Sequence, residues 1–180
     1  TEIDIEEEMT NYTVQIISKP GERAMDPSVE INNYPWIITL DNFLTDEECD
    51  RLVELGDMVG FTRSHDTGEV KADGSYEAIE SDGRTSSDAF CSYPSNCRSD
   101  DVAQRVHERI AKVTGIPSGN SEDLQILRYN EGEKYGFHHD FVDQQLFHQC
   151  GPRILTFFLY ISDVEEGGET AFPYLGISVK

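Results

Sequence analysis

Residues 129–141 read YNEGEKYGFHHDF and place two histidines and an aspartate at the end of an aromatic, glycine-punctuated run. His138 and Asp140 are two residues apart, so on a strand their side chains project from the same face. An imidazole and a carboxylate on one face can bind one divalent ion, and a second imidazole would complete a facial triad with open coordination positions. His139 would point the other way. The stretch predicts part of a metal site, although an isolated His-x-Asp is more often an ordinary surface strand pair.

The flanking residues predict a sheet and two helices. A strand and its exit loop are expected in 35–45, and further strands in 124–129, 153–162 and from 176 to 179. RILTFFLYIS (153–162) is apolar enough for a strand covered on both faces. One helix opens at Thr45, which has capping-box spacing to Glu48. A second runs from about Ser99 to Thr114 and stops at Gly115. Two helices followed by strands predict an α+β plan with the helices packed on one face of a sheet.

The remaining segments are read as connections. Residues 1–33 are interpreted as an N-terminal arm that contains the β-prone patch YTVQII, and residues 34–180 as one domain. Residues 62–89 are polar and rich in glycine, which predicts a long surface loop that could hold a short hairpin. Long loops inside a domain are usually functional or mobile, so this one is a candidate for contact with substrate.

The charge restricts the partners. The 180 residues carry a formal net charge of −21. Such a field repels nucleic acid and anionic membranes and favours basic or neutral partners, although acidity can also serve solubility alone. No apolar run approaches the ~20 residues of a membrane span.

The wider pattern resembles a known family. Y-x-x-G-x-x-Y-x-x-H-x-D (129–140), RILTFFLYISDV and EGGET-x-FP are similar to prolyl 4-hydroxylases, and so are LDNFLTDEECDRLVELG and GRTSSDAF. In GRTSSDAF, Asp88 stands where the family's loop usually has glycine. The likeness covers about residues 34–180. It implies an iron(II)- and 2-oxoglutarate-dependent dioxygenase with a double-stranded β-helix, or jelly-roll, core, and it implies ascorbate as a further cofactor.

The resemblance also implies roles for individual residues. His138 and Asp140 would be iron ligands, and Tyr129 and Thr170 would hydrogen-bond 2-oxoglutarate. Glu122, Tyr135 and Arg153 match positions that line the peptide site. Tyr135 and Arg153 are also candidate catalytic residues. The tyrosines could instead serve ordinary packing, and the arginine could form a salt bridge to one of the many carboxylates. The implied substrate is a proline-containing peptide or protein, and the implied product is 4-hydroxyproline.

Two parts of the family's site have no match in the sequence. The family uses a second histidine ligand and a basic residue for the far carboxylate of 2-oxoglutarate, both on a later strand. No histidine follows the GGET stretch. We therefore expect the last strands to lie beyond Lys180, and residues 1–180 by themselves to make no measurable succinate. His148 is a candidate substitute ligand.

Two other functions remain open. The missing histidine and lysine favour a non-catalytic binding or assembly subunit that keeps the dioxygenase fold, with an assembly partner. A dioxygenase that acts on lysine or another residue would have the same iron site.

The cysteines indicate an oxidising compartment. Cys91 and Cys97 enclose SYPSN, which has a turn signal, and we predict a disulfide between them; the alternative is two free thiols. A disulfide would place the protein in the endoplasmic reticulum lumen or the secretory pathway. The glycosylation sequon at Asn11 and the family resemblance agree with that compartment.

Overall fold

The computed structural model describes residues 12–21, 34–72, 74–147 and 151–180. They form two units: one contains the chain up to Asp46 together with Ser162–Lys180, and the other contains Glu47–Ile161. Most of the predicted N-terminal arm, the sequon at Asn11 and His148 lie outside the described residues.

Nine strands and two α-helices occur in the described ranges. The strands are β1 (Thr13–Ser18), β2 (Ile37–Asp41), β3 (Thr62–Arg63), β4 (Asp66–Val70), β5 (Tyr76–Ile79), β6 (Ser87–Phe90), β7 (Gln125–Arg128), β8 (Thr170–Phe172) and β9 (Ile177–Val179). The helices are α1 (Asp46–Val59) and α2 (Asp101–Thr114). All strand pairs are antiparallel, which confirms the predicted α+β class. Neither helix is long and apolar enough to cross a membrane.

The first unit contains two small sheets. β1 pairs with β2, with Ile16 opposite Ile38, so the β-prone patch in the predicted arm is a strand. β8 pairs with β9 after a 3-10 turn, as predicted for residues 176–179. Buried Tyr34, Ile37 and Leu175 form the core of this unit.

The second unit begins with the two predicted helices. Asp100 caps α2 by accepting a 2.9 Å hydrogen bond from the Val102 amide, and Gly115 ends the helix with φ 70°, a conformation that favours glycine. The Asp100 carboxylate also accepts hydrogen bonds from Arg51 of α1. Burial raises the pKa of Asp100, but the hydrogen bonds from Arg51 and Val102 outweigh it and hold this pKa below its ordinary value.

The second unit also contains a three-stranded sheet, β3-β6-β7, and a separate hairpin, β4-β5. The hairpin was anticipated, but the prediction of a loop over 62–89 is wrong where β3 and β6 form. The polar composition concealed β6, because Asp88 within the strand and Ser86 just before it are buried and hydrogen-bonded. Asp88 accepts a 2.8 Å hydrogen bond from Gln125, and Ser86 pairs with Ser64 across a 3.1 Å distance between their hydroxyl oxygens.

The predicted buried strand over 153–162 is not present. None of the described residues forms a strand ladder with this segment, and Ile154 is 84% exposed. An apolar run indicates which side chains favour burial, whereas a strand also needs a hydrogen-bonded neighbour. The jelly-roll core implied by the family is therefore not established by these small sheets.

Candidate functional site

The chain that leads into the candidate metal site is held by the loop before β6. The Thr85 amide donates to the Lys134 carbonyl at 2.8 Å, and the Gly136 amide donates to the Gly83 carbonyl at 2.6 Å. A Cβ at Gly136 would lie 3.3 Å from the Gly83 oxygen, so the close approach favours glycine. The loop GRTSSDAF and the stretch YNEGEKYGFHHDF, which sequence analysis singled out separately, are thus neighbours.

Both ring nitrogens of His138 have polar partners. Its Nδ1 lies 2.9 Å from the Gly136 carbonyl oxygen, which only accepts, so Nδ1 carries the proton and donates. Its Nε2 then faces Asp140 Oδ1 at 3.0 Å. Two lone pairs at this distance repel unless a proton or a cation lies between them. The hydrogen bond to Asp140 accordingly raises the pKa of His138.

Asp140 is held as a carboxylate from two sides. The hydrogen bond from His138 lowers the pKa of Asp140 to about 2, against the effect of burial, and a hydrogen bond from Thr156 contributes. The Thr156 hydroxyl donates to Oδ2 at 2.5 Å. No role was predicted for Thr156 from the sequence. Its position in the RILT motif, which the family shares, is the feature that could have indicated one.

The arrangement fits one divalent ion. Ligands at adjacent positions of an octahedral ion, each about 2.1 Å from it, lie about 3.0 Å apart, which is the separation of Nε2 and Oδ1. A hydrogen bond from the other ring nitrogen to a backbone carbonyl is typical of histidines that bind metals. Within the described ranges no third His, Cys, Asp or Glu joins the pair.

Tyr135 contacts the candidate ligand directly. Its ring stacks on the His138 imidazole, with centroids 3.7 Å apart and planes inclined by 14°. The Arg84 guanidinium lies over the Tyr135 ring, 4.5 Å from the centroid of that ring. Burial raises the pKa of the Tyr135 hydroxyl. Tyr135 was predicted to line the peptide site, and its stack with His138 was not predicted.

Arg153 and Glu122 form a bidentate ion pair, the alternative that sequence analysis left open for the arginine. Nε donates to Oε1 at 2.6 Å and Nη2 donates to Oε2 at 2.8 Å. The hydrogen bonds to Glu122 raise the pKa of Arg153. Nη1 lies 3.5 Å from the Asp140 carbonyl oxygen, so two predicted peptide-site residues are beside a candidate metal ligand.

Of the two residues predicted to bind 2-oxoglutarate, Tyr129 lies in the same unit as His138 and Asp140, and Thr170 lies in the other unit. Tyr129 directly follows β7, is 43% exposed, and makes no hydrogen bond to His138 or Asp140 among the described residues. Thr170 begins β8 in the other unit, opposite Val179. Their roles stay predictions.

The predicted disulfide is confirmed. Cys91 and Cys97 are bonded, with Cα atoms 4.8 Å apart, within the usual range for disulfides. The Cys91 amide donates to the Leu124 carbonyl at 2.9 Å, so the bridged loop adjoins the segment that carries Glu122.

Known proteins similar to this chain come from Arabidopsis thaliana. A protein named probable prolyl 4-hydroxylase 7 is 39% identical over 153 residues, which are 83% of this chain and 46% of that protein. Prolyl 4-hydroxylase 2 is 37% identical over 161 residues, 88% of this chain and 50% of the relative. Prolyl 4-hydroxylase 5 is 39% identical over 174 residues, which are 91% of this chain and 56% of that relative. The chain spans about half the length of the curated relatives it matches. No protein-family model matches it.

Proposed function

The chain belongs to the prolyl 4-hydroxylase family, and on this premise we propose that the protein converts proline residues of a polypeptide to 4-hydroxyproline. The cosubstrates would be O2 and 2-oxoglutarate, the products succinate and CO2, and the cofactors iron(II) and ascorbate. The observation that carries the proposal is the convergence of His138 Nε2 and Asp140 Oδ1 at 3.0 Å, at the two positions where the family resemblance implies iron ligands.

Iron bound by His138 and Asp140 would supply the activation of dioxygen, which amino-acid side chains do not provide. The chain's own groups prepare its binding. The Gly136 carbonyl keeps one proton of His138 on Nδ1. Once the proton between Nε2 and Asp140 leaves, the Nε2 lone pair is available to bind iron. Thr156 orients the Asp140 carboxylate and favours its ionised form.

The Arg153–Glu122 pair would orient the polypeptide. Because Nε and Nη2 bind Glu122, Nη1 is the nitrogen best placed to donate to a peptide carbonyl, and it lies beside Asp140. A fixed donor near the metal would set which proline carbon faces it. The net charge of −21 favours a basic or neutral polypeptide over an acidic one.

The other parts of the proposal follow the family. Tyr129 and Thr170 would bind 2-oxoglutarate, and the core of the whole protein would be a jelly roll. The Cys91–Cys97 disulfide supports a place in the endoplasmic reticulum lumen or the secretory pathway.

The test is incubation of the full-length protein with iron(II), 2-oxoglutarate, ascorbate and a proline-containing peptide, followed by mass spectrometry and a succinate assay. One added oxygen on proline, in step with succinate, supports the proposal. Succinate with an unmodified peptide would indicate another acceptor side chain, such as lysine. Absence of both products from a folded, metal-loaded protein would favour a binding or assembly subunit.

A further inference from the structure

Asp88 is the residue at which the loop GRTSSDAF departs from the family pattern. Its side chain is buried, with 7% of the residue exposed, so its charge needs partners. The Oδ2 atom accepts a 2.8 Å hydrogen bond from Gln125 and lies 3.6 Å from Arg84 Nη2. A glycine at this position would give Arg84 no carboxylate.

Arg84 is fixed at several points. Its Nη1 donates to the His65 carbonyl at 2.7 Å, and its side chain is only 11% exposed. Its backbone forms an antiparallel bridge with Tyr135, and its guanidinium covers the Tyr135 ring. Arginine stacks on aromatic faces because its planar, weakly hydrated cation is attracted by the ring quadrupole.

Tyr135 transmits this arrangement to the candidate metal ligand. The bond from His138 Nδ1 to the Gly136 carbonyl defines one contact of the imidazole but leaves rotation about that bond's axis. The stack with Tyr135, at 3.7 Å and 14°, defines the plane of the ring. Together the two contacts determine where Nε2 points, and hence its approach to Asp140.

We propose that Asp88 and Arg84 are positioning residues: Asp88 holds Arg84, Arg84 holds Tyr135 against His138, and the stack sets the plane in which Nε2 meets Asp140. The consequence for iron rests on the proposed function, but the positioning itself does not require turnover. The alternative is that the backbone bonds between 83–85 and 134–136 place Tyr135 without help from either side chain.

The experiment is NMR of the His138 ring protons in the metal-free, full-length protein, with the other histidines assigned by substitution. A stacked tyrosine shifts these signals upfield, and Tyr135→Ala gives the unstacked position. Spectra are taken at a pH of about 5, where the imidazole is protonated throughout. The variants are Arg84→Gln and Asp88→Asn. The matched control is Arg63→Gln, because Arg63 also donates to this loop, at the Ser81 and Thr85 carbonyls, without covering Tyr135.

Arg84→Gln is expected to move the His138 signals most of the way to the unstacked position. Asp88→Asn, which keeps the side-chain volume, should move them in the same direction, and Arg63→Gln should leave them in place. The proposal is overturned if either test variant stays folded and keeps the wild-type signals, or if Arg63→Gln moves them as far as Arg84→Gln does. If Arg84→Gln does not fold, the His138 signals of Asp88→Asn decide whether the proposal holds. Because no hydroxylation is measured, a failure here is distinct from a failure of the proposed function.

Discussion

Removal of one partner from the ion pair between the two helices should destabilise the protein strongly. Arg109 of α2 donates from Nη1 and Nη2 to the two carboxylate oxygens of Glu48 of α1, at 2.8 and 2.9 Å. The side chains are 10% and 6% exposed. Glu48 was predicted only as part of a capping box, yet its carboxylate joins α1 to α2 through a residue 61 positions away in the sequence.

The magnitude follows from this burial. Glu48→Gln keeps the shape but removes the buried carboxylate that pairs with Arg109, and loss of one partner of a buried pair costs about 3–5 kcal/mol. That is a large part of a typical unfolding free energy of about 5–15 kcal/mol. Replacement of both residues, Glu48→Leu with Arg109→Met, should be nearly neutral because no buried charge remains.

Urea unfolding of the wild type, Glu48→Gln and the double variant, followed by circular dichroism, provides the measurement. Glu48→Gln should lose about 3–5 kcal/mol, and the double variant should be more stable than Glu48→Gln. A loss below about 1 kcal/mol in Glu48→Gln, the value of an exposed pair, would contradict this expectation, because it would mean that water screens these charges.

Three further outcomes are expected. The pKa of Asp100 in the folded protein lies below its ordinary value of 3.8, so the ionised carboxylate stabilises the fold above pH 3.8. This stabilisation is lost as the pH falls from 3.8 through the folded-state pKa, and the difference in unfolding free energy between wild type and Asp100→Asn should shrink as the pH falls. Thr156→Val should raise the pKa of Asp140 from about 2, as measured by carboxyl NMR, and an unchanged value would contradict the hydrogen bond. Cys97→Ser should lower the unfolding free energy by about 2–3 kcal/mol in urea, whereas an unaltered midpoint and slope would mean that the bridge adds nothing.

The helices were predictable because their signals are local. Asp100 and Gly115 act on groups within a few residues along the chain, and both ends of α2 agree with the prediction. β6 was not predictable in this way, because its buried Asp88 finds a partner in Gln125, 37 residues away. The segment 153–162 shows the converse error: its apolar pattern suggested a buried strand, but no ladder forms with it in the described ranges.

In the candidate site, too, local features were predictable and contacts between distant segments were not. The i, i+2 spacing of His138 and Asp140 was readable from the sequence, and Nε2 and Oδ1 lie 3.0 Å apart, although residues 138–140 do not form the strand on which that argument was based. The sequence did not indicate the contact of Thr156 with Asp140 or the stack of Arg84, Tyr135 and His138, because chain segments far apart in sequence meet there. Residue type alone does not indicate whether an arginine covers a ring or pairs with a carboxylate.

The adjacent histidines allow the most direct test of the proposed metal centre. 4-Hydroxyproline formation by the full-length protein is compared between His138→Ala and His139→Ala, two substitutions of equal chemistry one residue apart. Loss of a direct ligand should exceed the roughly 10–100-fold effect typical of groups that only support ligands, so His138→Ala should reduce turnover by more than about 100-fold. His139→Ala should stay within a few-fold of wild type, because His139 makes no hydrogen bond to His138 or Asp140 in the described part of the chain. Substantial activity in His138→Ala, or an equal loss in both variants, would contradict the assignment of His138 as an iron ligand.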